Sequence, residues 1–292
     1  MYAACDLCGA GDPELLFESD RLDGPLVRCR NCRLVYVGAR RADFTFAGGP
    51  DAGRSEALAD RVTELGLVDR EVEIAERPLR IRADQERLQR LLRHAAGPRL
   101  LDVGAATGTF VEVATEAFPG AIGIEPDPIT SAQARAAGID VRTGTLDDIA
   151  DESFDAITML HVIEHLDSPH ESVGRVAELL RPGGAVLIET PTIDCLWWRL
   201  TPARWRQLIP DHYFFFSRAT LGELLLSCGL RPVEHEKVGR LVSVRFAVDR
   251  LRRARLPGSR GLAPVIEKLG IEERTIRLNP GDIMSVVAVK AR

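Results

Sequence analysis

Between residues 99 and 189 the chain alternates short apolar runs with segments whose apolar positions recur at helical spacing. Leu100, Leu101 and Val103 make a run suited to a buried parallel strand, and it opens into the small-residue loop Gly104 to Gly108. Residues 109–118 then carry helical periodicity. Residues 120–125, 140–145, 154–160 and 185–189 read as four more strands, with helices over 128–137 and 171–180 between them. The second of these helices is stopped by Arg181-Pro-Gly-Gly184, a turn before the fifth strand. Strand and helix in alternation predict a parallel sheet with helices on both faces, an α/β doubly wound, Rossmann-like fold. Beyond it, residues 221–228 read as a helix capped by Gly229 and 231–238 as a strand. Residues 240–260, with seven arginines among apolar positions, read as an amphipathic helix, and 281–290 as a final strand.

Two stretches break the alternation. Residues 191–217 hold Cys195, all three tryptophans (Trp197, Trp198, Trp205) and the run Pro210-Asp-His-Tyr-Phe-Phe-Phe-Ser217. Aromatics gathered outside the strand ends suggest an apolar substrate pocket. Residues 1–40 carry Cys5-x2-Cys8 and Cys29-x2-Cys32, separated by 20 residues. In a compartment that keeps thiols reduced, two such pairs read as one tetrahedral, structural Zn2+ site, with short strands at 26–28 and 34–37 making a zinc ribbon. The expected organisation is a ribbon module over 1–40, a helical linker or lid over 41–96, and a core domain over 97–292 that contains the 191–217 insertion. Within the linker, 44–53 is turn-rich, and 55–67 and 80–96 have helical spacing.

Composition narrows the partners. A net charge of −5 gives no global attraction to nucleic acid. No apolar run approaches the ~20 residues of a membrane span and no leader pattern opens the chain, so a cytoplasmic protein with no membrane partner is expected.

The loop after the first core strand decides the ligand. Gly104-x-x-x-Gly108 lacks the G-x-G-x-x-G order of a dinucleotide site. Leu101-Asp-Val-Gly-Ala-Ala-Thr-Gly108 instead resembles the first motif of class I methyltransferases dependent on S-adenosylmethionine (SAM), with Ala106 at the usual central glycine. Glu125, 17 positions beyond Gly108, ends the second strand, where a carboxylate can accept both ribose hydroxyls. The resemblance continues through Ser153-Phe-Asp-x-Ile157, His161-Val-Ile-Glu-His-Leu166 and the Arg-Pro-Gly-Gly turn. It implies a SAM site built from Asp102, Gly104, Ala105, Gly108, Glu125, Thr145, Leu146 and His161, with Asp147 nearby, and a last strand that runs antiparallel. His161-x-x-Glu164-His165 also fits a zinc-protease spacing, but that chemistry needs both histidines on one helix, and His161 directly follows a strand.

Methyl transfer needs positioning, and a base when the nucleophile carries a proton. His212 is the leading candidate base, His165 and His161 the next. Asp211-His212-Tyr-Phe-Phe-Phe-Ser217 is similar to a segment of zinc-containing sugar C-methyltransferases in which this histidine is the base; Ile209 departs from their pattern, and related O-methyltransferases also carry a histidine there. The expected function is methylation, at oxygen or carbon, of a small molecule of the secondary-metabolite (natural product) or sugar-precursor kind. Two alternatives stand beside it: an RNA base methyltransferase, favoured by the arginines of 240–260, and a binding protein whose SAM fold is catalytically silent.

Overall fold

A computed structural model describes residues 2–39, 76–150, 153–253 and 261–291. The turn-rich stretch 44–53 and the helical spacing of 55–67 lie outside the described residues. Three short strands open the chain: β1 (Pro13–Phe17), β2 (Leu26–Cys29) and β3 (Val35–Val37). From residue 77 the alternation begins, as α1 (Arg77–Leu91), β4 (Arg99–Val103), α2 (Thr109–Ala114), β5 (Gly120–Glu125), α3 (Pro128–Ala136), β6 (Val141–Thr143), β7 (Phe154–Leu160), α4 (Pro169–Leu179) and β8 (Leu180–Pro191). The insertion contributes α5 (Leu196–Leu200) and β9 (Phe214–Phe215). After it come α6 (Arg218–Ser227), β10 (Leu230–Lys237), β11 (Arg240–Ser243), α7 (Val244–Arg253), α8 (Leu262–Leu269), β12 (Thr275–Leu278) and β13 (Ile283–Lys290).

Local chemistry sets the helix starts. Asp127 accepts from the N–H groups of Ile129 and Thr130 at the head of α3, and Ser168 and Ser217 cap α4 and α6 in the same way. Pro128 and Pro169 stand in the first turn, where a missing N–H costs nothing.

Seven strands form the main sheet in the order β10-β13-β8-β7-β4-β5-β6. β4, β5, β6, β7 and β8 pair in parallel, while β13 runs antiparallel to both β8 and β10, as expected for the last strand. Successive side chains on a strand face opposite ways, and the two apolar layers follow from that. Leu100, Ala156 and Leu187 pack with Leu88 and Leu91 of α1 and Phe110 and Val111 of α2. Leu101, Ile157 and Ile188 face the other side, with Val173 and Val176 of α4, Leu224 of α6, and Leu26, Val27 and Val35 of the N-terminal strands. Those N-terminal strands form a second, antiparallel sheet, ordered β1-β2-β3-β9, whose fourth strand comes from the insertion.

Several expectations change. Arg181 to Gly184 is not a turn ahead of the fifth strand but lies within β8: Phe154 pairs with Leu180 and Ala156 with Ala185, so four residues bulge opposite Asp155. Arg181 ties that bulge down with a 2.9 Å ion pair to Asp155. Residues 240–243 are strand rather than helix, because Leu241 and Val242 pair with Arg277 and Ile276 of β12. Helix α7 begins only at Val244, and 254–260 lie outside the described residues. The third core strand is only Val141–Thr143, since Thr145 and Asp148 close a 3-10 turn there. Strands β1 and β9 are not visible in the spacing of the sequence. No helix among the described residues is long and apolar enough to cross a membrane.

Candidate active site

The loops that carry the candidate residues follow the carboxyl ends of β4, β5, β6, β7 and β8, the edge at which an open parallel sheet binds ligands. In the first loop Gly104, Ala106 and Gly108 all have left-handed backbone, with φ of 69°, 47° and 79°. A Cβ on Gly104 would lie 2.6 Å from Val162 Cγ2, so only glycine lets the loop after β7 approach this closely. Ala106 adopts the strained conformation despite its Cβ, and its N–H donates to Glu125 Oε2 at 3.0 Å. Glu125 Oε1 accepts from the Asp127 N–H at 3.0 Å, so one carboxylate joins the first loop to the second.

The remaining residues assigned to the cofactor fall as follows. Asp102 is buried and accepts from Thr158 Oγ1 at 2.6 Å; burial, against that hydrogen bond, pushes its carboxyl up to about 7. Ala105 is buried behind the loop. Leu146 is buried inside a capping box made by Thr145 and Asp148. Asp148 thus serves the turn, while Asp147 is exposed.

His161 begins the loop after β7 with φ of 58°. Its N–H donates to the Glu189 carbonyl at 2.8 Å, its Nδ1 stands 3.3 Å from Glu164 Oε1, and its Nε2 3.5 Å from Glu189 Oε1. Burial alone lowers a histidine pKa, but these two carboxylates outweigh it and lift His161 to about 9. Glu164 is fully buried, accepts from Thr190 Oγ1 at 2.9 Å, and is held down at about 2 by His161 and its histidine neighbours in spite of burial. Glu189 stays ionised through Arg87, whose Nε and Nη2 both reach it while Nη1 reaches Asp84 at 2.7 Å. Helix α1 is thereby tied to the site.

The two candidate bases meet. His165 and His212 stack edge to face, with ring centroids 4.7 Å apart, and ligand atoms of Glu164, His165 and His212 all lie within 4.8 Å of one another. His165 Nδ1 is 2.7 Å from the Asp211 carbonyl oxygen and His212 Nδ1 2.9 Å from that of Gln207. A carbonyl only accepts, so both Nδ1 atoms carry the hydrogen. In the neutral rings the lone pair is then on Nε2. Burial and the neighbouring His165 push His212 down to about 4, which keeps it neutral at pH 7. The cluster's spacing would also suit a cation; both Glu164 oxygens are engaged, by His161 and Thr190.

Cys5, Cys8, Cys29 and Cys32 offer four sulfur atoms within 4.8 Å of one another, with Cys5 to Cys32 at 3.4 Å and Cys8 to Cys29 at 3.5 Å. Four thiolates at ~2.3 Å around one tetrahedral ion would stand about 3.8 Å apart, so the donor set and its spacing fit Zn2+. Each pair is followed by a left-handed residue, Gly9 and Arg33, whose N–H returns to the carbonyl of the first cysteine. The first was legible as glycine; the second was not.

In the insertion Trp205, Tyr213, Phe214, Phe215 and Phe216 are buried and pack on one another and on the N-terminal sheet, as in the Tyr36–Phe214 stack at 6.4 Å, while Trp197 on α5 is exposed. The β3–β9 pairing holds the buried rings in the interior. The insertion also brings His212 beside Glu164 and His165. Glu164, Glu189, Arg87 and Thr190 were not singled out from the sequence; Glu164 stood inside a quoted run, but only folding brings Arg87 to Glu189.

A family model described as a methyltransferase domain matches residues 74–235. A probable SAM-dependent methyltransferase of Mycolicibacterium smegmatis is 33% identical over 147 residues, covering 48% of this chain and 55% of that protein. A ubiquinone biosynthesis O-methyltransferase of Azorhizobium caulinodans is 34% identical over 109 residues (35% of this chain, 43% of that protein). A tRNA U34 carboxymethyltransferase of Syntrophotalea carbinolica is 34% identical over 108 residues (34% and 33%). The chain spans about half the length of these curated relatives, or less.

Proposed function

Because this chain belongs to the methyltransferase-domain family, we propose that it is a SAM-dependent methyltransferase that methylates an oxygen or carbon of a small molecule, with His212 as general base. The observation that carries the base assignment is the pair of Nδ1–H bonds to the Asp211 and Gln207 carbonyls. The bond to Gln207 leaves the Nε2 lone pair of His212 near the buried Glu164 carboxylate, on the loop side of β7.

The residues present fit SAM. Gly104 and Gly108 remove side-chain bulk from the loop, Glu125 would offer its carboxylate to the ribose hydroxyls, and Thr145, Leu146 and His161 would complete the site. Asp102 and Ala105 hold the loop from behind. SAM supplies a methyl group on a positively charged sulfur, open to in-line displacement. His212 accepts the proton of the nucleophile on Nε2, while the Gln207 carbonyl fixes its tautomer and Glu164 stabilises the imidazolium that forms. His165, edge-on to it, orients the ring. Cys5, Cys8, Cys29 and Cys32 would hold Zn2+ with all four positions filled by protein, a structural role with no open coordination site.

The test is transfer from isotopically labelled SAM into separated small-metabolite and RNA fractions of a cell extract. Label in the metabolite fraction, lost in His212→Gln, supports the reading. Label in RNA overturns the small-molecule assignment, and SAM binding without label in either fraction overturns the activity.

A further inference from the structure

The N-terminal region touches the segments that carry the candidate base pair at two independent points, one from its first cysteine turn and one from its sheet. The first is Asp6, between the two cysteines of the first pair. Its Oδ1 accepts from Ser168 Oγ at 2.7 Å and its Oδ2 from the His170 N–H at 2.8 Å. Ser168 is the cap of α4, and His170 supplies one of the N–H groups that a helix start leaves without an internal partner. Asp6 therefore fixes the head of α4, three residues beyond His165. The second point is the β3–β9 pairing. Val35 and Tyr36 stand opposite Phe215 and Phe214. The Val37 N–H donates to the Tyr213 carbonyl at 2.9 Å, and the Tyr213 N–H donates to the Glu164 carbonyl at 2.8 Å. One peptide, next in sequence to His212, is thus strung between the N-terminal sheet and the Glu164–His165 turn.

From these contacts we infer that the N-terminal region braces the junction that holds His165 beside His212, and that Asp6, in its first cysteine turn, is a positioning residue for that pair. His165 hangs from the segment that Asp6 anchors, and His212 from the strand that β3 holds. The two segments meet directly, through His165 Nδ1 at the Asp211 carbonyl and the Tyr213 N–H at the Glu164 carbonyl, and β3 and Asp6 brace that junction from outside, one on each segment. The inference rests on the reading of His212 as base for its kinetic consequence, though not for its structural one. Around His212 stand His165, Glu164, Asp211 and His161 as titratable groups, and the Phe215 ring at 6.3 Å. A shift of the α4 head moves His165, and with it the neighbour that helps keep His212 neutral.

The experiment compares Asp6→Ala, Asp6→Asn, Ser168→Ala and Ser168→Asp with the unaltered full-length chain. The readouts are imidazole nitrogen NMR of the six histidines, assigned with His165→Gln and His212→Gln, together with SAM affinity by calorimetry and kcat. Asp6→Ala is expected to move the ring resonances of both His165 and His212. It should lower kcat about tenfold through misplacement of the base while leaving SAM affinity within about twofold. Asp6→Asn keeps one carbonyl oxygen for the His170 N–H and should restore part of both. Ser168→Ala removes the bond to Asp6 together with the α4 cap, and Ser168→Asp, which keeps the cap but cannot donate to Asp6, separates the two; this pair carries the test if Asp6→Ala does not fold. Unchanged His165 and His212 resonances in the folded variants overturn the inference. If His212→Gln keeps full turnover, the base assignment falls alone, because the ring resonances still report whether Asp6 positions the pair.

Discussion

His161 and His212 sit in one cluster and are driven in opposite directions. Glu164 and Glu189 hold His161 charged up to about 9, whereas burial and His165 hold His212 neutral down to about 4. A base must be unprotonated before it can act, so the acid limb of kcat/KM is expected near pH 4 rather than near 6.5, the ordinary histidine value. A pH–rate profile with its limb at 6 to 7 would contradict this. His212→Gln should lower kcat by about 10²–10⁴, the usual range for loss of a general base, with SAM affinity within about twofold by calorimetry. Glu125 offers a second check at this scale. Its carboxylate is expected to bond the ribose while it holds the Ala106 and Asp127 N–H groups. Charge-assisted bonds contribute about 1.5–3 kcal/mol each, so Glu125→Ala should weaken SAM binding by about 10- to 100-fold. Unaltered affinity would remove Glu125 from the site.

At the scale of elements, the cysteine-bearing turns, β2 and β3 make one unit. Cys29 ends β2, Cys32 precedes β3, and Arg33 takes a left-handed conformation between them. A bound ion would clamp these turns and hold β3 in register with β9. Protein from metal-replete culture is expected to contain about one zinc per chain, filling a four-thiolate site. Cys29→Ser should lose that metal and lower the thermal midpoint. A chain that keeps its midpoint with no zinc by elemental analysis would refute the metal assignment. The bulge in β8 shows the same logic without a metal: Arg181 to Gly184 satisfies itself against Asp155, so a stretch that reads as a helix stop becomes part of a strand.

For the whole molecule, the buried charges make stability depend on pH on both sides of neutrality. Glu164 is lowered in the folded state, so its contribution is present above its unfolded value of about 4.3 and is lost as pH falls toward 2. His212 is also lowered; the folded state resists its protonation, and stability declines as pH falls from about 6.5 through 4. His161 is raised, so its contribution is complete below about 6.5 and is lost as pH rises through 9. The thermal midpoint should therefore fall on both flanks, and His161→Gln should flatten the alkaline flank between pH 7 and 9. An identical alkaline slope in the variant would show that the pairing with Glu164 and Glu189 does not act on the fold. Through Arg87 the same charges join α1 to the carboxyl ends of β7 and β8, on the opposite side of the sheet from the N-terminal strands.

The sequence by itself determined what depends on short-range pattern. Apolar runs between helical segments gave the succession of parallel strands along the chain, Gly104 and Gly108 the loop, Glu125 the strand-end acid, and the two Cys-x2-Cys pairs the four-sulfur cluster. Spacing along the chain is itself the physical signal in each case, because strand, turn and knuckle are built from neighbouring residues. Tertiary structure decided the rest. β9 is two residues long and has no periodicity of its own; it exists because β3 offers an unpaired edge. The aromatic run reads as pocket lining from its place in the chain, and that pairing buries Phe214 and Phe215 in the interior. Which histidine is charged was equally out of reach. The answer depends on Glu189 standing beside His161 and on His165 facing His212, contacts between segments distant in the chain, and electrostatics acts across space rather than along sequence.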